Sequence, residues 1–185
     1  MRAQTVYKRV YVFDFDDTLV KTSAKIRIYR KGVFVKSLTP KEYNFYVPES
    51  GDKLDFDEFQ DGEMILNAKK YIVWPVIKNI SNAIKEDRST SDIFILTARN
   101  AQVKAYIYEF LKRNGIEIDI EHIITIGDDI IKKGVNIANE KFRILKILKR
   151  KYDEIILFDD NPETIRLAAS IPGIKTKLIE SRNAR

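Results

Sequence analysis

Four short apolar runs recur along this chain with amphipathic stretches between them, and that alternation limits the fold more than any other feature. The runs are residues 10–14 (VYVFD), 92–97 (DIFILT), 122–126 (HIITI) and 154–159 (EIILFD), rich in β-branched and aromatic side chains and ended by polar or turn residues. Such runs predict strands covered on both faces. A fifth run, residues 174–179, admits more polar residues and reads as a strand near a sheet edge. Helical patterns lie between. From Pro75 onward, Ile77, Ile80 and Ile84 share one face. Residues 101–114 repeat Val103, Ile107, Phe110 and Leu111 and stop at Gly115, and residues 139–150 turn Phe142, Leu145 and Leu148 inward. Asn161-Pro162-Glu163 sets a capping residue before a proline at the first helical position. The expected fold is α/β, a Rossmann-like parallel sheet of about five strands with helices on both faces. Sheets of this kind bind ligands outside the carboxyl ends of their strands.

Residues 21–74 interrupt the alternation, so a single domain over residues 1–185 is expected to carry a small insertion after its first strand. IRIYRKGVFVKSL predicts a β-hairpin turning at Lys31-Gly32, and TPKE at 39–42 is a capping box that starts a short helix. The acidic stretch through Asp61-Gly62 reads as irregular or partly extended. Charge divides sharply here. Residues 21–41 hold seven basic residues (Lys21, Lys25, Arg27, Arg30, Lys31, Lys36, Lys41) and no acid, whereas residues 42–63 hold eight acids and one lysine. Tyr29 and Phe34 interleave with the basic residues, and Tyr43, Phe45 and Tyr46 follow them. Two readings stay open: Arg27 and Arg30 grip a nucleotide or a nucleic-acid strand, or the acidic stretch pairs with the hairpin.

Composition narrows the chemistry. With no cysteine and one histidine, His122, among 185 residues, thiolate chemistry and histidine-rich metal centres are excluded. His122 opens a strand and reads as structural. What remains is carboxylates, hydroxyls, lysine and arginine. No apolar run is long enough to span a membrane, and charges interrupt the apolar start MRAQTVYKRVYVFDFDD. A soluble, cytoplasmic protein is expected, and its net charge of +6 permits an anionic partner.

The carboxylates gather where the strands end. The first strand closes in FDFDDT with Asp14 and Asp16, and Thr18 follows; the fourth closes in LFDDNPE with Asp159 and Asp160; the second closes in LTAR with Thr97 and Arg99. Several carboxylates on one edge repel and raise one another's pKa unless a counter-charge intervenes. A hard divalent cation with oxygen ligands answers that need, and carboxylates plus phosphate oxygens suit Mg²⁺. A carboxylate, a metal, a hydroxyl and a cation together suit phosphoryl transfer by covalent catalysis.

On these residues the chain resembles the haloacid dehalogenase-like (HAD) hydrolase superfamily. FDFDDT fits its DxDxT signature, ILTAR its second motif, a lysine opening a later helix its third, and LFDDNPE its paired-aspartate fourth. The resemblance implies that Asp14 is the nucleophile and Asp16 the general acid and base. Thr97 and Lys141 would hold phosphoryl oxygens, and Thr18 would brace the catalytic loop beside the substrate. Asp14, the backbone carbonyl of Asp16 and Asp159 would ligate Mg²⁺, with Asp160 as a further ligand or just behind one. Lys132 and Lys133 compete with Lys141 for the third motif, and Asp128-Asp129 compete with Asp159-Asp160 for the fourth. Strand counting favours Asp159, and the helix before the fourth strand favours Lys141.

The hydroxyl–x–Arg pattern of Thr97 and Arg99 is similar to that of the phosphatase domain of polynucleotide kinase-phosphatases, and LTPKEYNFYVPESGD and DFDEF look like inserts in phage-encoded HAD-like proteins. Arg99 would then supply a second donor fork to phosphate. The implied function is a Mg²⁺-dependent phosphomonoester hydrolase acting on a nucleotide or a nucleic-acid terminal phosphate, with residues 21–74 as a small flap. A phosphotransferase acting on a small phosphorylated metabolite and an inactive nucleic-acid-binding module are the alternatives. No membrane and no obligate protein partner is expected.

Overall fold

The computed structural model of the chain describes residues 8–43, 45–86, 90–129 and 136–180. After β1 (Arg9–Phe13) the chain leaves for the insertion, which holds β2 (Val20–Lys21), β3 (Ile26–Arg30), β4 (Val33–Leu38), α1 (Pro40–Tyr43), β5 (Asp52–Asp55), a 3-10 turn (Asp57–Gln60), α2 (Gly62–Leu66) and β6 (Lys69–Lys70). α3 (Trp74–Glu86) leads back to β7 (Ser91–Thr97). Then follow α4 (Lys104–Arg113), β8 (Ile123–Thr125), α5 (Ile137–Leu148), β9 (Glu154–Asp159), α6 (Pro162–Ala169) and β10 (Ile174–Leu178).

β1 is the centre of a five-stranded sheet in the order β10-β9-β1-β7-β8, and every pairing in it is parallel. The expected α/β sheet is therefore present. The chain lays β1, β7 and β8 in one direction and then returns to place β9 on the other side of β1. That reversal makes the gap between β1 and β9 the switch point, where a crevice opens beyond the strand ends.

Each face of the sheet has its own core. Phe13, Ile93 and Ile95 pack with Trp74 and Ile77 of α3 and with Ile107, Phe110 and Leu111 of α4. Val10, Val12, Phe94 and Leu96 point the other way, against Leu145 and Leu148 of α5 and Ala168 of α6. Alternate residues of β1 and β7 thus serve opposite cores, which is why these strands are apolar on both faces. Caps act as the residues foretell: the Asn161 side chain accepts the Glu163 and Thr164 amides at 2.9 and 3.0 Å, with Pro162 beginning α6. His122 lies in a 3-10 turn just before β8 rather than within the strand. Its ring stacks on Phe94 at 4.0 Å and its Nδ1 lies 3.1 Å from the Ile93 carbonyl oxygen.

In the insertion, β3 and β4 form the expected hairpin, and Lys31 and Gly32 turn it with φ of 52° and 82°. That pair of left-handed residues matches the twist of antiparallel strands. Thr39 and Glu42 close the capping box reciprocally: the Thr39 amide donates to Glu42 Oε2 at 2.7 Å and the Glu42 amide to Thr39 Oγ1 at 3.3 Å. The acidic stretch is more ordered than its composition suggests, because its residues 52–55 add a third strand, β5, to the free edge of β3. β2 pairs with β6 at the neck of the insertion. Among the described residues, no helix is long and apolar enough to cross a membrane.

Glu154, buried at the start of β9, contacts Arg9 of β1 and Lys175 of β10, one on each flanking strand. Hydrogen bonds from Lys175 and Arg9 hold its carboxyl below the usual glutamate value against the opposing effect of burial. A depressed folded-state pKa stabilises the fold fully above the unfolded value, and that contribution is lost as pH falls through the folded one. Glu154→Gln should therefore cost about 1 kcal/mol near neutral pH. In urea unfolding across acid pH, the gap between wild type and variant should close.

Candidate active site

The site begins with register. The Asp14 amide donates to the Phe158 carbonyl at 2.9 Å, so β1 and β9 end side by side and deliver Asp14 and Asp159 to the switch point together. Beyond Asp14 the backbone turns tightly. Asp17 adopts φ 54°, its amide donates to the Val20 carbonyl at 2.8 Å, and the Leu19 and Val20 amides donate to the Phe15 carbonyl at 3.0 and 3.1 Å. Aspartate tolerates this left-handed conformation better than most residues.

Asp14, Asp159 and Asp160 each bring a carboxylate oxygen within 4.8 Å of the others. Lys141, buried in α5, reaches between two of them, and its Nζ lies 2.7 Å from Asp14 Oδ1 and 2.7 Å from Asp159 Oδ2. Burial opposes the ammonium, but Asp14 and Asp159 outweigh it and hold the Lys141 pKa above the usual lysine value. Asp14 responds in the other direction. Burial raises its pKa well above the ordinary carboxylate value; Lys141 opposes the rise, and Asp159 and Asp160 add to it. Asp160 is pushed up to about 7 by burial and by the Asp159 charge. One ammonium does not neutralise three carboxylates, and the donors are all oxygen, so the cluster suits a hard divalent cation.

Asp16 stands apart from that cluster. Its carboxylate faces the buried Arg99 guanidinium in a two-pronged pair, Nε to Oδ2 at 2.8 Å and Nη2 to Oδ1 at 2.7 Å. Arg99 also donates from Nη1 to the Phe59 carbonyl at 2.6 Å and from Nη2 to Thr22 Oγ1 at 3.4 Å. Most of its donors are thereby engaged with the loop after β1 and with the insertion. The expected second fork for phosphate is a staple between the two.

The remaining predicted residues divide. Asp14, Asp16, Arg99, Lys141 and Asp160 line one cavity of about 290 Å³. Thr97 is buried beneath it at the end of β7, and its hydroxyl accepts the Arg99 amide at 3.3 Å. Thr18 is also buried, and its hydroxyl has no hydrogen-bond partner among the described residues. Arg27 and Arg30 do not line the cavity. Arg27 pairs with Glu58 at 2.6 Å and Asp55 at 3.8 Å, and Arg30 with Asp52 and Glu49 at 2.8 Å each. These two arginines are thus paired with the acidic stretch that runs along the hairpin rather than standing free. Asp128 accepts the Ala101 amide at 2.8 Å and caps the turn that precedes α4. Lys132 and Lys133 lie outside the described residues.

Several lining residues were not expected. Asn100, Gly127 and Asn161 share the floor with the carboxylates. Gly127 packs so closely on the loop after β7 that a Cβ would lie 2.6 Å from the Ala98 carbonyl oxygen. The insertion supplies the rest of the wall: Ile26, Pro40, Tyr43, Leu54, Phe56, Phe59 and Gln60. The aromatic residues clustered at 43–59 were its sequence signal, but nothing in their spacing says which of them turn inward.

No protein-family model and no curated protein matches the chain. Solved structures align with it. The HAD domain of the effector protein Lem4 from Legionella pneumophila does so at 15% identity and a TM-score of 0.47, covering 95% of this chain and 88% of that one. The Legionella pneumophila effector Ceg4, solved with an N-terminal yeast Hog1p sequence, aligns at 14% identity and a TM-score of 0.47, covering 96% of this chain and 90% of that one.

Removing one member of a buried ion pair strands the other. Arg99→Ala should therefore destabilise the protein by about 3 kcal/mol. Adding Asp16→Asn should cost less than the two single changes summed, with a coupling of about 1–3 kcal/mol in a denaturation cycle.

Proposed function

We propose that this chain is a HAD-like phosphomonoester hydrolase that uses Mg²⁺ and passes through an aspartyl phosphate on Asp14. The observation that carries the reading is the buried Asp14–Lys141–Asp159 cluster at the switch point, with Asp14 and Lys141 also lining the cavity. The four motifs of the sequence support it, since their residues meet at one sheet edge.

Asp14, Asp159 and Asp160, with the backbone carbonyl of Asp16, would hold the metal. Bound there, Mg²⁺ supplies the positive charge that lets an anionic carboxylate approach an anionic phosphoryl group. An oxygen of Asp14 attacks phosphorus as the bond to the ester oxygen breaks, and Asp16 gives that oxygen its proton, releasing an alcohol. Asp16 then takes a proton from water, whose oxygen attacks phosphorus and frees Asp14 and inorganic phosphate. Lys141 stays charged throughout and neutralises oxygens on the transferring group. For the proton steps, one Asp16 oxygen would leave Arg99 and take up a proton from solvent before facing the ester oxygen, and the proton taken from water in the second step restores that state. Residues 21–74 serve as a flap over the cavity. Because Arg27 and Arg30 are paired within the insertion, a nucleotide or nucleic-acid terminal phosphate rests on the Thr97-x-Arg99 pattern alone.

Asp14→Asn should lower phosphate release from para-nitrophenyl phosphate by on the order of 10⁴-fold or more, with circular dichroism unchanged. Normal turnover in that variant removes the mechanism. Mg²⁺ at 100 times its dissociation constant should stabilise the folded state by about 2.7 kcal/mol. The accompanying rise in melting temperature should shrink in Asp160→Asn.

A further inference from the structure

We propose that the cavity binds the organic half of its substrate as a single uncharged ring, seated on the apolar wall that the insertion supplies. This rests on the phosphomonoester hydrolase reading and names the substrate class for the same site.

The cavity has two unlike halves. Every charged residue that lines it, namely Asp14, Asp16, Arg99, Lys141 and Asp160, lies at the strand ends or the start of α5. The insertion contributes Ile26, Pro40, Tyr43, Leu54, Phe56, Phe59 and one polar residue, Gln60, and none of them carries a formal charge at neutral pH. Tyr43 stays protonated there, because burial raises the pKa of its hydroxyl further. The two lining cations are already engaged, Arg99 by Asp16 and Lys141 by Asp14 and Asp159.

The wall is also ordered. Tyr43 meets Phe56 edge to face with centroids 5.5 Å apart, and Phe56 and Phe59 are tilted at 6.4 Å. Phe59 is tied to the floor twice: its carbonyl accepts from Arg99, and its ring lies 5.3 Å from the Arg99 guanidinium. Aromatic rings arranged this way offer a further ring both edge-to-face and offset contacts. A strand of nucleic acid would instead bring phosphates to a cavity whose two described lining cations are both engaged, losing water without compensation. Size points the same way. At about 290 Å³ the cavity falls at the small end for ligand sites, with room for a phosphoryl group and one ring.

Benzyl phosphate and ethyl phosphate test this directly. Both esters release alkoxides of similar basicity, so a difference in kcat/KM reports contact with the ring rather than leaving-group chemistry. Burying the ring should favour benzyl phosphate by about 10- to 100-fold. Benzylphosphonate, which is not hydrolysed, should inhibit at about tenfold lower concentration than ethylphosphonate. In Phe56→Asn the preference should collapse toward equal reaction of the two esters, whereas Phe56→Leu should keep most of it. Equal kcat/KM for the two esters in the wild type overturns the proposal. So does a 3′-phosphorylated oligonucleotide that outruns benzyl phosphate, or an unchanged preference in a folded Phe56→Asn. The phosphonate comparison needs no variant. If no ester releases phosphate, the hydrolase reading itself falls and this one with it, an outcome unlike a missing preference.

Discussion

One buried ammonium makes the rest of this structure possible. Lys141 lies between Asp14 and Asp159 at 2.7 Å from each, where both carboxylates are buried. Charges in such a place persist only when paired and hydrogen-bonded, and taking away one partner of a buried pair costs about 3–5 kcal/mol. The arrangement demands three things at once. β1 and β9 must be neighbours, they must end in register, and α5 must run with its early turns over their ends. The doubly wound sheet meets all three, because its return crossing brings β9 beside β1 and leaves a crevice between them. The excess of negative charge that Lys141 leaves behind is what invites a divalent cation.

A second cation decides how the insertion meets this edge. Arg99 emerges just after β7, grips Asp16 with two prongs and passes a third hydrogen bond to the Phe59 carbonyl. A lysine has no planar fork and cannot make both connections in this geometry. Through Arg99 the loop after β1 is tied to the insertion, so that charged and largely apolar linings share the same small space. The charged and apolar linings of that space thus come from segments far apart in the chain.

Much of this was legible in the residues. The strands at 92–97 and 154–159 were placed to within a residue, because apolar runs that end in Thr or Asp leave little freedom in where they stop. Asn161-Pro162 marked the start of α6 through its capping chemistry. Asp14, Lys141 and Asp159 were picked by the elements that carry them, and the fold brings those elements together. The insertion was harder. Its seven basic residues suggested an arm for an anion, yet Asp52 and Asp55 stand in register with Arg30 and Arg27 across β5 and β3. A count of charges along a segment does not say which of them face one another across a sheet.

The sequence by itself determined the alternation of strands and helices, the parallel sheet and the gathering of carboxylates at its carboxyl edge. Those are local properties: periodicity, capping and the residues at which strands must end. Only the tertiary structure decided which charges were already spent on partners and which side chains faced the cavity. Arg99, Arg27 and Arg30 look alike as residues, but one binds Asp16 and the others bind acids of the insertion. Tyr43, Phe56 and Phe59 come to line one cavity only because the insertion folds over the strand ends. Pairing depends on distance in space, and residues separated by dozens of positions acquire that distance only when the chain closes.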